Sequence, residues 1–83
     1  MIDSQKYVAE LVEMEKAEAV SVEISPLEAV AIINHIQMAA QHTSNCKITQ
    51  IAITGGKRIQ NLVLHPESTA YQILQSGWGA IEN

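Results

Sequence analysis

Ser25-Pro26-Leu27-Glu28 limits the architecture of this chain more than any other four residues. Ser25 can accept from the free N–H groups of a first helical turn. Pro26 suits the first helical position, and Glu28 can reach back to close a capping box. The motif therefore separates a β-rich lead-in at 20–24 from a helical remainder.

The lead-in, Val20-Ser21-Val22-Glu23-Ile24, alternates apolar and polar residues and is rich in β-branching, the pattern of a half-buried strand over about 19–24. A lone strand leaves its backbone groups unpaired. Its partner is therefore expected to be residues 7–14 or a second copy across a two-fold axis. Residues 3–15 read as an amphipathic helix. Tyr7, Val8, Leu11, Val12 and Met14 lie on one side, Lys6, Glu10 and Glu13 on the other, and Asp3 or Ser4 provides the cap. A strand over 7–14 is the rival reading.

Residues 26–43 form the first long helix, with Ala29, Ile32, Ile33, Ile36 and Ala40 on its core face. Leu27, Val30, Ala31 and Met38 fall outside that face, which predicts contacts on a second side. Residues 47–64 carry two conflicting signals. Lys47–Thr54 is β-rich and Gly55-Gly56 suits a hairpin turn. Yet Ile48, Ile51, Ala52, Gly55, Ile59, Leu62 and Val63 fall within an arc of about 120° on a helical wheel, and strand alternation is poor. The period favours a helix antiparallel to the first, with Gly55 allowing another helix to come close. A short helix is expected over 67–76, with Ala70, Ile73 and Leu74 inward and Gly77 as its stop. Trp78 then packs back or is displayed. The expected fold is one small domain, 1–83, of class α+β and helix-dominated.

The chain has 83 residues, 47% of them hydrophobic, with no Phe and a single cysteine, Cys46. So short a chain has a marginal core, and an intrachain disulfide is excluded. Oligomerisation is the remaining remedy, giving a homodimer or a higher oligomer. The single cysteine fits a reducing cytoplasm, and neither a signal-peptide layout nor a membrane-spanning run is evident. The net charge is −4 with five Lys plus Arg. That disfavours a nucleic-acid polymer, which demands a basic face, but it leaves room for a small anion.

Catalytic and metal constellations are weak. Glu28, His35 and His42 recur at spacing seven, about 10.5 Å apart along a helix, too far for two imidazoles of one chain to share an ion. Cys46 lacks a partner at a defining spacing and reads as a small, semi-buried cysteine. Gly55-Gly56-Lys57-Arg58 lacks the spacing and the Ser or Thr of a phosphate loop. No enzyme, metal or cofactor is expected. The remaining candidate is a polar ridge along 47–64 made of Lys47, Thr54, Arg58 and Asn61. Arg58, the only arginine, can grip phosphate or carboxylate through two N–H groups. Tyr71 or Trp78 could stack on a base. A solvated helix face carries such residues equally well.

The order of motifs resembles a group of short proteins predicted in cyanobacteria and their phages. It runs from the strand through Ser25–Ala29, Asn34–His42, Gly56–Leu62 and His65–Ser68 to Tyr71–Trp78. The resemblance spans residues 20–78. It implies the second long helix and the closing Trp, and it supplies no catalytic residues. Phage proteins that sequester cyclic-nucleotide immune signals are similar in size and general character, being short, non-catalytic oligomers that bind ligand between subunits. The leading expectation is thus a small oligomeric binding protein, of anti-defence type, holding an anionic nucleotide-like ligand at a subunit interface. The alternative is a protein–protein adaptor or inhibitor using Leu27, Ala31 and Met38.

Overall fold

The computed structural model describes residues 3–43 and 45–82. The elements are α1 (Ser4–Lys16), α2 (Pro26–Thr43), α3 (Lys47–Val63) and α4 (Thr69–Glu82). The class is therefore all-α, which corrects the expected α+β fold: among the described residues there is no strand. Residues 17–25 form an irregular, largely exposed link, and Val20 is 81% exposed. The physical reason lies in pairing. Alternating β-branched residues fit a pleated surface only where a neighbouring strand supplies the ladder, and residues 7–14 are helical. The expected strand pairing across a two-fold axis falls with the strand.

The helix starts follow their caps. Asp3 accepts from the N–H groups of Gln5 and Lys6 at 3.0 and 3.2 Å. At α2 the capping box closes in both directions. The Glu28 N–H donates to Ser25 Oγ at 3.1 Å, and the Ser25 N–H donates to Glu28 Oε1 at 3.0 Å. The Ser25 N–H foremost, and the Ser25 side chain after it, hold the Glu28 carboxyl below its ordinary value. A carboxylate lowered in the folded state stabilises above its unfolded pKa and loses that contribution as pH falls through the folded one. Ser25→Ala should lower stability by about 1 kcal/mol through the lost side-chain cap. Glu28→Gln, which removes the charge that the Ser25 N–H favours, should differ from wild type less in acid than near neutral pH, read as urea midpoints across a pH series. An unchanged gap down to about pH 3 would contradict the carboxylate's share.

Within the expected 47–64 segment, Lys47–Val63 is helical, as the period indicates, rather than a hairpin. α2 and α3 run antiparallel: the Thr43 and Thr49 hydroxyls are 2.9 Å apart, while Ile36 meets Gly56 at the middle of both helices. α4 returns antiparallel to α3. Tyr71 bonds Asn61, Gln75 bonds Gln60, and Glu82 pairs with Lys57. Ser68 caps α4 by accepting from the Tyr71 N–H at 3.1 Å.

The fourth helix is longer than expected. It starts at Thr69, not 67, and continues through Gly77 and Gly79 to Glu82, so Gly77 is not a stop. No glycine among the described residues has positive φ. Gly77 serves close approach instead. A Cβ there would strike the Gln37 side-chain amide, whose Nε2 donates to the Leu74 carbonyl at 2.8 Å.

The core of α2, α3 and α4 gathers Ile33, Ala40, Ile53, Leu64, Leu74 and Trp78. Trp78 is 1% exposed. Its indole N–H donates to Gln60 Oε1 at 2.6 Å, and Gln60 Nε2 donates to Gln75 Oε1 at 3.0 Å. Among the described residues no buried side-chain polar atom lacks a partner. α1 contributes no buried residue to this core.

Candidate functional site

The side chains of α3 sort into sectors around its axis. Ile53, Gly56 and Gln60 are buried against α2 and α4. Ala52, Ile59 and Val63 are half-buried beside them. Beyond those, Ile48, Ile51, Gly55 and Leu62 are exposed and fall within an arc of about 60°. The apolar arc of the sequence pattern is therefore split. The fold buries one flank of it, adds Ile53 and Gln60, and leaves the other flank as a continuous apolar seam. Leu62 is 79% exposed.

The two glycines divide in the same way. Close approach occurs at Gly56, where a Cβ would lie 2.9 Å from the Trp78 ring and 3.2 Å from Ile36 Cδ1. A Cβ on Gly55, the glycine expected to admit a neighbouring helix, would meet nothing within 4 Å.

The N-terminal end of the seam opens into a groove of about 630 Å³ between α1 and α3. Val8, Leu11, Val12 and Met14 line it from α1; Ile48 and Ile51 line it from α3, with Glu15 and Lys47 adding charge. It is the apolar side of α1 that faces the groove. α1 is amphipathic, as its sequence pattern indicates, yet its apolar side is left largely open.

The polar ridge borders the seam. Lys47 and Arg58 are separated by about 16 Å along the helix axis, more than one small ligand spans. Lys47 belongs to the groove. Thr54 is exposed and donates to the Gln50 carbonyl at 3.1 Å. Asn61 Nδ2 donates to the Lys57 carbonyl at 2.9 Å, and Asn61 Oδ1 accepts from the Tyr71 hydroxyl at 2.7 Å. Arg58 is exposed about one turn before Asn61. The fold thus brings Arg58, Asn61 and Tyr71 into one neighbourhood and leaves Lys47 apart. Trp78 is the sixth expected site residue, and its ring is closed inside the core. Tyr71 is half-buried against that core, with its hydroxyl at the surface of the ridge.

Gln60, which holds the Trp78 indole, is absent from the residues that the sequence pattern singles out. The available signal is its spacing: Ile53, Gly56, Gln60 and Leu64 recur at three or four residues and share the buried side. Cys46 is exposed, not semi-buried. The N–H groups of Thr49 and Ile48 in the first turn of α3 lower its thiol below the ordinary value. His35 Nδ1 lies 3.1 Å from the Ala31 carbonyl. Among the described residues no set of three His, Cys, Asp or Glu side chains is arranged to hold a metal. No helix among them is long and apolar enough to cross a membrane. No protein family, curated protein or solved structure matches this chain.

Proposed function

We propose that this chain is a non-catalytic interaction module that works as an assembly of its own copies and presents apolar helix faces to partners. The observation that carries the reading is surface area. A compact monomer of 9.1 kDa exposes about 4,900 Å² by the scaling of folded proteins. This chain exposes 6741 Å², an excess of about 1,800 Å². Its radius of gyration is 14.5 Å, against about 12 Å for a compact domain of 83 residues. Large apolar side chains contribute to it: Tyr7, Val12, Leu27, Met38, Ile51 and Leu62 are all exposed. Exposed apolar patches larger than a few hundred Å² mark interaction sites.

Leu27, Ala31 and Met38 lie on one exposed strip of α2, away from the seam of α3, which leaves them available to a second protein. Light scattering on the eluted protein across a concentration series tests self-association. A mass above 9.1 kDa is expected, and 9.1 kDa at every concentration defeats the reading.

A second reading is favoured by one observation. Arg58 is exposed beside the Asn61–Tyr71 pair, on the border of the seam where copies would meet. A small nucleotide-like anion bound there would be gripped by the guanidinium at a subunit boundary. Thermal stabilisation by cyclic nucleotides that disappears in Arg58→Ala supports it. No shift with wild type, or an equal shift in both, counts against it.

A further inference from the structure

We propose that the copies meet through α3: two α3 helices cross antiparallel at Gly55, and Leu62 of each enters the α1–α3 groove of the other. This rests on the self-association reading above and names its interface.

The register is self-complementary. With Gly55 facing Gly55 on the two-fold axis, position 62 of one helix stands opposite position 48 of the other, and position 59 opposite position 51. Leu62 then meets Ile48, and the half-buried Ile59 meets Ile51. Every facing pair of the seam is aliphatic except the central one, where both partners are glycine. The Gly55 site is open, with nothing within 4 Å of a built Cβ, so two backbones can come close there. The groove of about 630 Å³ supplies the receiving side, since Ile48 and Ile51 form one wall and α1 the other. α1 thereby gains the apolar contact that its own chain does not provide.

Electrostatics selects the antiparallel direction. α3 has no basic residue in its last turn and no acidic residue in its first. The antiparallel pairing brings Lys47 of each copy to the C-terminal end of the other α3, where a cation is favoured. A parallel pairing would put Lys47 beside Lys47 and align the two helix dipoles. Arg58 falls opposite the small Ala52, so its guanidinium remains at the rim. The scale also fits. An excess of about 1,800 Å² per chain exceeds the roughly 800 Å² that each partner contributes to a standard stable interface.

Two variants and light scattering decide the matter. Leu62→Lys introduces a charge at a position 79% exposed in the single chain, so the fold should survive, as judged by unchanged helical circular dichroism. Wild type should elute with twice the mass of 9.1 kDa, and Leu62→Lys with 9.1 kDa. Gly55→Cys in a Cys46→Ser background should form a covalent dimer on mild oxidation, whereas Glu67→Cys in that background should not. A wild type that is monomeric throughout overturns both this interface and the assembly reading. A dimer that persists in Leu62→Lys, with no cross-link at position 55, overturns the interface alone.

Discussion

Trp78→Ala should lower stability by about 3–5 kcal/mol, the upper range for truncating a buried aromatic. A domain of 83 residues holds roughly 4–12 kcal/mol in total, so the variant should lose between about a quarter and all of its stability. Three losses coincide. The ring fills the space between α3 and α4 against Gly56, at the centre of the Ile33, Ile53 and Leu74 cluster. Its removal leaves a cavity that helices anchored at both ends cannot fully close. It also strips Gln60 Oε1 of its donor inside the core. Trp78→Phe separates these effects, because it keeps most of the apolar volume and removes the N–H. Its cost should be intermediate, about 1–3 kcal/mol. Urea unfolding followed by circular dichroism reads both. A midpoint for Trp78→Ala close to wild type would mean that the indole is not the keystone of the core. The loss of Trp78→Phe should shrink once Gln60 is replaced by leucine, because the orphaned carbonyl is then absent.

How much of this is legible in the sequence varies by element, and the physical cause differs each time. α2 is legible to the residue because its start is written locally, in a Ser and a Glu that bond each other across a Pro at the first helical position. α3 is legible as a helix because seven apolar positions keep one period despite β-rich composition. The segment 19–24 misleads because strand structure is not local: Val20 and Val22 have strand propensity but no ladder to join. Gly77 misleads because one residue type serves two purposes. A glycine that ends a helix and a glycine that admits a neighbour's amide are identical in sequence, and only the position of Gln37 distinguishes them. For the candidate site, periodicity reveals the ridge of Lys47, Thr54, Arg58 and Asn61 but not how far apart its cations stand. Nor can it tell that Trp78 faces inward while Leu62 faces outward. For Leu62 that choice depends on how far α3 is rotated about its axis, and the rotation is set by the fit of Gly56 and Gln60 against Trp78 of α4.

Gly56→Leu and Gly55→Leu should therefore have opposite consequences although the residues are adjacent. At Gly56 the first added carbon already falls 2.9 Å from Trp78 Cη2, 3.1 Å from Cζ2 and 3.2 Å from Ile36 Cδ1. Those neighbours are a rigid indole and a core isoleucine, and the indole is further held by Gln60. A four-carbon side chain has no rotamer that avoids them, so α3 must separate from α4 or Trp78 must leave the core. The cost should exceed the usual range of about 1–3 kcal/mol for overpacking, enough to abolish the cooperative urea transition. The gain of about 1 kcal/mol from removing a mid-helix glycine does not offset it. At Gly55 the same side chain points into open space, and the same helix-propensity gain is unopposed within the single chain. Gly55→Leu should remain fully helical. If the copies cross at this position, it should also separate them, since an isobutyl group on each backbone prevents close contact. Circular dichroism reads the first effect and light scattering the second. A well-folded Gly56→Leu would refute the contact of α3 with Trp78, and a folded Gly55→Leu that remains a dimer would move the crossing point away from Gly55.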